Sequence, residues 1–189
     1  MVESFLKMPW ENNTRPAQTW DFKQRTRSQE VIPEKLVDYT WQEVASFSTE
    51  RANREIIEIN HKQPEIVTFL IGLTKGMSEE ARALPIYLFL VVHRMFQSRR
   101  KKVNRVSKEE ISERYKYNKG LFETLGLIYD GFSSIQMSRQ PYVMKYVLDA
   151  LAEKDGCEQS VPLSEEHKGF IFLLLKTVVD ILDQKSSNH

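Results

Sequence analysis

A two-helix pattern written twice constrains this chain more than any other feature. Gln63-Pro64-Glu65-Ile66-Val67-Thr68-Phe69-Leu70-Ile71 aligns with Gln140-Pro141-Tyr142-Val143-Met144-Lys145-Tyr146-Val147-Leu148. Beyond the shared Gln-Pro and the Glu65–Tyr142 pair, apolar residues fall opposite apolar residues and Thr68 falls opposite Lys145. Downstream, Met77-Ser78-Glu79-Glu80 aligns with Leu163-Ser164-Glu165-Glu166. The apolar stretches after those caps keep the same phase, with Leu84 opposite Phe170, Leu88 opposite Leu174, Val92 opposite Val178 and Met95 opposite Ile181.

Proline suits the first helical position, and serine followed by two glutamates caps a helix and complements its dipole. Either signal alone is common punctuation. Their agreement in order, spacing and apolar phase points to an internal duplication. The second copy is longer only in its inter-helix loop, Glu153–Pro162, and the helices that precede the two copies match in place but not residue by residue.

Strands find little support. The chain has seven glycines and seven prolines in 189 residues, and Asp130-Gly131 and Asp155-Gly156 both follow helical patterns, where glycine ends a helix. The expected fold class is all-α: a helical bundle or short α-solenoid of about six helices, with a two-unit repeat and an extended N-terminal arm. A helix pair buries one face internally and needs neighbours for the other, so two units should share a core; with only two, a bundle is favoured.

The boundaries follow from the punctuation. Residues 1–32, interrupted by Pro9 and Pro16, lack apolar periodicity and read as the arm. Residues 33–183 form one helical domain, with unit one over 33–98, a basic linker over 99–106 and unit two over 107–183; 184–189 is a flexible polar tail. In unit one a helix starting at Pro33 carries Val37, Trp41, Val44, Ala52, Ile56 and Ile59 on its apolar side, unless Ser46–Thr49 splits it. Pro85 should bend the helix after Ser78 or delay its start. In unit two Ser107-Lys108-Glu109-Glu110 forms a capping box ahead of Ile111, Tyr115, Phe122, Leu125 and Tyr129.

Composition narrows the functional classes. A formal net charge of +1 supplies no global field for nucleic acid or membrane, so either partner would need a local patch. The single cysteine, Cys157, excludes an internal disulfide framework and fits a reducing compartment. Neither a signal-peptide core nor a run near the roughly 20 apolar residues of a spanning helix is present, and the expected location is cytoplasmic.

Signals for chemistry are sparse. Glu58-Ile59-Asn60-His61 has the Glu-x-x-His spacing of di-iron bundles, which require a second such motif that the chain lacks; a solvated helix end is the simpler reading. His93 lies in an apolar helix opposite Val179 and is expected to be a hydrogen-bonded residue at the core edge. Cys157 has no neighbouring cation or imidazole in sequence to activate it. Phosphate-binding, nucleophile-elbow and zinc-protease motifs are missing, and no catalytic residue, metal or cofactor is expected.

Two features are candidates for recognition. The linker holds five cations in seven residues, Arg99, Arg100, Lys101, Lys102 and Arg105, enough to neutralise phosphates or simply to solvate a helix end. The arm mixes Trp20 and Phe22 with Arg25 and Arg27, as single-strand binders do, and as an arm tacked onto its own domain also would. The leading expectation is a non-enzymatic helical adaptor or regulatory domain that engages a protein partner or a second copy of itself. The alternative is a nucleic-acid-associated protein using the linker and arm; a membrane partner is not expected.

Overall fold

A helix whose residues are buried on every side needs neighbours on every side. The computed structural model describes residues 31–98, 102–125, 138–153 and 163–187, and its last helix, Glu165–Lys185, is of this kind: every residue from Ile171 to Val179 is buried. In chain order the helices are α1 (Glu34–Ala45), α2 (Thr49–Lys62), α3 (Pro64–Thr74), α4 (Glu79–Ser98), α5 (Lys108–Leu125), α6 (Pro141–Glu153) and α7 (Glu165–Lys185). The architecture is an all-helical bundle. No helix among the described residues is long and apolar enough to cross a membrane.

At the centre α4 packs on α7, the two helices that follow the Ser-Glu-Glu caps. Leu88, Phe89, Leu90, Val91, Val92, Met95 and Phe96 of α4 are all buried, and burial of each such side chain contributes about 1.5–3 kcal/mol. Around this pair, α1 and α3 cover α4, while α5 and α6 cover α7. The outer helices also cross between units, α3 against α5 and α1 against α6. These crossed contacts make a bundle of the chain, since stacked solenoid units would meet through one face only.

Local chemistry accounts for the helix ends. Ser78, Ser107 and Ser164 each accept a hydrogen bond from the backbone N–H three residues on, and Glu110 Oε2 accepts in return from the Ser107 N–H at 2.9 Å, completing the capping box. The single first helix divides at Ser46–Ser48: Ser48 caps α2 by accepting from the Arg51 N–H, and the described residues hold seven helices. Pro33 stands just outside α1 rather than in its first turn. Pro85 does not delay α4, which starts at Glu79 and runs through it; packing on five helices outweighs the one hydrogen bond that proline removes.

Two short segments depart from the all-helical reading. Lys102–Val103 (β1) pairs antiparallel with Ser186–Ser187 (β2), and the Asn104 N–H donates to the Lys185 carbonyl at 3.1 Å. The end of the linker and the start of the polar tail thus tie each other down.

The two glutamines of the aligned Gln-Pro pairs are both 1% exposed. Gln63 Oε1 accepts from the Val106 N–H at 3.0 Å while its Nε2 donates to the Asn104 carbonyl, so it holds the entry to α5. Gln140 Oε1 accepts from the Ile32 N–H at 2.8 Å while its Nε2 donates to the buried Asp183, so it holds the entry to α1. Gln63 thus precedes α3 and grips the chain entering α5, while Gln140 precedes α6 and grips the chain entering α1.

A buried N–H stripped of its acceptor costs about 1–3 kcal/mol. Gln63→Leu and Gln140→Leu should each destabilise the fold by that amount, measured as a lower urea midpoint at unchanged slope. Gln140→Leu should cost more, because it also takes a donor from the buried Asp183 carboxylate.

Candidate functional site

The residues singled out in the sequence are dispersed. Trp20, Phe22, Arg25, Arg27, Arg99, Arg100, Lys101 and Cys157 lie outside the described residues, as does the loop over 154–162. Lys102 is placed through its backbone in β1, and Arg105 is exposed. Glu58 and His61 are both exposed on α2, and Glu58 forms an ion pair with Lys62 rather than facing a metal position. That ion pair holds the Glu58 carboxyl below its ordinary range. Among the described residues no three His, Cys, Asp or Glu side chains gather to hold a metal ion.

His93 departs from its expected role. It is 2% exposed, its ring meets Phe89 edge-on at 5.8 Å, and its Nδ1 has no hydrogen-bond partner. Burial, with the positive charges of Lys62 and Arg94, pushes its pKa down to about 4 against a smaller opposing pull from Glu58. The imidazole is therefore neutral at pH 7 and sits in the core as a polar aromatic ring. Beside it, Arg94 pairs with Glu43 at 3.0 Å and Glu55 at 3.8 Å, and Arg51 also reaches Glu43 at 3.3 Å. This network ties α1, α2 and α4 together, and its charges are spent on one another.

An open recess lies elsewhere, along the crossing of α1 with α6. It encloses about 230 Å³. Residues at helical spacing build each wall: Glu34, Val37, Asp38 and Trp41 from α1, then Tyr142, Lys145, Tyr146, Asp149 and Ala150 from α6. Val37 is buried beneath, whereas Trp41 is 37% and Tyr142 39% exposed. Three carboxylates face one ammonium. Lys145 pairs with Glu34 at 3.4 Å, and Asp38 and Asp149 form no ion pair among the described residues.

The crossing of α3 with α5 is closed by comparison. Counted from their caps, Pro33 and Ser107, Trp41 and Tyr115 hold the same helix position; counted from Gln63 and Gln140, so do Phe69 and Tyr146. Where α3 meets α5, Phe69 and Tyr115 stack edge-on at 5.5 Å, and Tyr115 is 4% exposed. Where α1 meets α6, Trp41 and Tyr146 line a groove instead. The small Ala150 stands where the other unit has Leu73, and Asp149 stands where it has Gly72.

Periodicity placed Trp41 on the core side of α1, and the structure corrects this: it is an exposed wall of the groove. Asp38, Tyr142 and Asp149 carried no sequence signal, because the groove arises only when helices from different units meet. The Ala150–Leu73 mismatch inside the alignment is the one trace that was there to be found. No protein-family model, curated protein or solved structure matches this chain, so the functional reading rests on its own side chains.

The depressed His93 pKa fixes a sign. The unfolded chain takes up the proton near pH 6.5 and the folded chain only near pH 4, so between these values the unfolded state binds more protons. The stability contributed is complete above pH 6.5 and is lost as pH falls to 4, by about 3 kcal/mol. In His93→Leu, urea unfolding measured across that window should lose this component of its pH dependence.

Proposed function

We propose that this chain is a non-enzymatic helical adaptor or regulatory domain that binds an extended segment of a partner protein in the groove between α1 and α6. The observation that carries the reading is the unfilled seam, in which exposed Trp41 and Tyr142 stand beside the unpaired carboxylates of Asp38 and Asp149. Aromatic anchors concentrate binding energy where they can be buried, and a guanidinium or ammonium over such a ring gains about 0.5–2 kcal/mol. The complementary ligand is thus a peptide that alternates aromatic residues with arginine or lysine. The recess is small, which suits a transient contact more than an obligate one. A cytoplasmic setting, where Cys157 stays reduced, is part of the same proposal.

The acidity of this face argues against nucleic acid there. The alternative reading keeps only the basic linker, from which Arg105 supplies the one cationic side chain among the described residues, an exposed one.

Panning random peptides against the full chain tests the proposal. Enriched sequences should combine aromatic and cationic residues and weaken as salt rises. Asp38→Lys with Asp149→Lys should cost them at least about tenfold in affinity. Ala150→Leu, which introduces the side chain found at position 73, should block them sterically while leaving the carboxylates in place. Both aspartates are exposed, so circular dichroism should show an unchanged fold. Enriched peptides that bind all three proteins equally would refute the groove. Retention on DNA that disappears when Arg99, Arg100, Lys101 and Lys102 become serine would favour the alternative.

A further inference from the structure

Lys145 is the groove's own cation, and it stays in water. Its side chain is 57% exposed beside Glu34, although it lines the recess. The grading of the walls gives the reason. Val37 is buried and Tyr146 and Ala150 are half-buried, whereas Asp38 and Asp149 are exposed. The interior is thus apolar and aromatic, and the carboxylates stand outside it. An unmodified ammonium is a compact, strongly hydrated charge that must keep its three donors satisfied. Neither Val37 nor Ala150 carries a side-chain acceptor, and moving such a group inward costs more than exposed carboxylates return.

A different cation suits this grading. Trimethylated lysine carries the same charge with no N–H on it, so its entry leaves no donor unsatisfied. Its methyl groups bury apolar surface, and its diffuse charge is attracted to the faces of aromatic rings, tryptophan above all. Trp41, Tyr142 and Tyr146 all line the recess, and the first two present exposed surface to an entering group. Asp38 and Asp149 form no ion pair among the described residues and supply the counter-charge from the rim without touching the cation. The head comprises four heavy-atom groups, roughly 120 Å³ at about 30 Å³ each, and the recess encloses about 230 Å³, room for the head and part of its stem.

We propose that the α1–α6 groove recognises a trimethylated lysine on its partner segment, held against Trp41, Tyr142 and Tyr146 with Asp38 and Asp149 beside the charge. This rests on the reading of the groove as an interaction site and assigns that site its ligand. Methylation of the lysine then governs association. The unmodified segment binds weakly at the rim, and modification lets the side chain enter.

Titrations of the full chain, followed by proton NMR at constant ionic strength, compare three probes: the acetylated amide of trimethyllysine, the same amide of lysine, and tetramethylammonium. The trimethyllysine amide should bind at least about tenfold more tightly than the lysine amide. Its methyl protons should move upfield, because they lie over ring faces; attraction to carboxylates alone produces no such shift. Trp41→Leu should abolish the upfield shift and cost at least about tenfold in affinity, and Tyr142→Leu should act in the same direction. Asp38→Asn with Asp149→Asn should weaken binding and keep the shift. All four positions are exposed, so circular dichroism should show an unchanged fold. Equal affinity for the two amides, or a preference that survives both ring substitutions, would overturn the proposal. So would tetramethylammonium that binds as tightly as the trimethyllysine amide, because the site would then be one for a free small cation.

Peptides enriched by panning contain only unmodified lysine, so they separate this ligand from the groove reading. If they depend on Asp38 and Asp149 while trimethylation adds nothing, the groove binds a segment and the methylated ligand falls. If trimethylation tightens binding through Trp41 and no panned peptide depends on the aspartates, the methylated ligand stands and recognition of unmodified arginine and lysine falls. If neither depends on the groove residues, both fall.

Discussion

Everything in this bundle is arranged around the contact of α4 with α7. Two helices so thoroughly apolar cannot share only one face with each other; each requires further helices, and the amphipathic α1, α3, α5 and α6 fill that requirement. Burial on that scale makes every internal polar group a liability that must be met locally. Thr74 and Thr177 return their hydroxyls to carbonyls one turn back, and Asn118 bonds Thr177 and Asp180, which in turn receives Lys176. Three side-chain atoms among the described residues escape this accounting: Arg82 Nε, His93 Nδ1 and Asn118 Oδ1.

The central pair fixes which helices surround it but not how the connecting chain enters them. That task falls to Gln63 and Gln140, whose side-chain amides stand in for backbone partners at Val106 and Ile32. A β-strand neighbour would normally satisfy such N–H groups, and the helical fold offers none at these points. Because each glutamine grips chain far from it in sequence, distant segments brace one another through polar bonds as well as through apolar contact. A shared Gln-Pro that reads in sequence as helix punctuation thus has a long-range purpose in each place it occurs.

What could be read from the sequence divides along the same line between local and distant. The caps at Ser78, Ser107 and Ser164 were legible because each is settled within four residues, and so was the stripe Ile111, Tyr115, Phe122 on α5. Pro85 does not mark a late start of α4, because its local cost is overridden by packing that a sequence window does not contain. Trp41 misled for the opposite reason: periodicity identifies the apolar face of α1, but only the crossing with α6 decides how much of that face is covered. His93 was recognisable as unusual, whereas its missing partner is a property of the neighbours that gather around it.

The groove itself is best understood as a seam left open. Among the described residues α3 crosses α5 and α1 crosses α6, and Phe69 and Tyr115 close the space between α3 and α5. The physical means to close the other were at hand, since Trp41 and Tyr146 hold the corresponding positions with at least as much aromatic surface. Ala150 in place of a leucine removes volume from that crossing, and Asp149 in place of a glycine puts a carboxylate at its rim. A bundle that gained only stability from this crossing would fill it, because an unfilled apolar recess forfeits dispersion contacts. The open seam gives up those contacts and keeps the rings of Trp41 and Tyr142 partly in water.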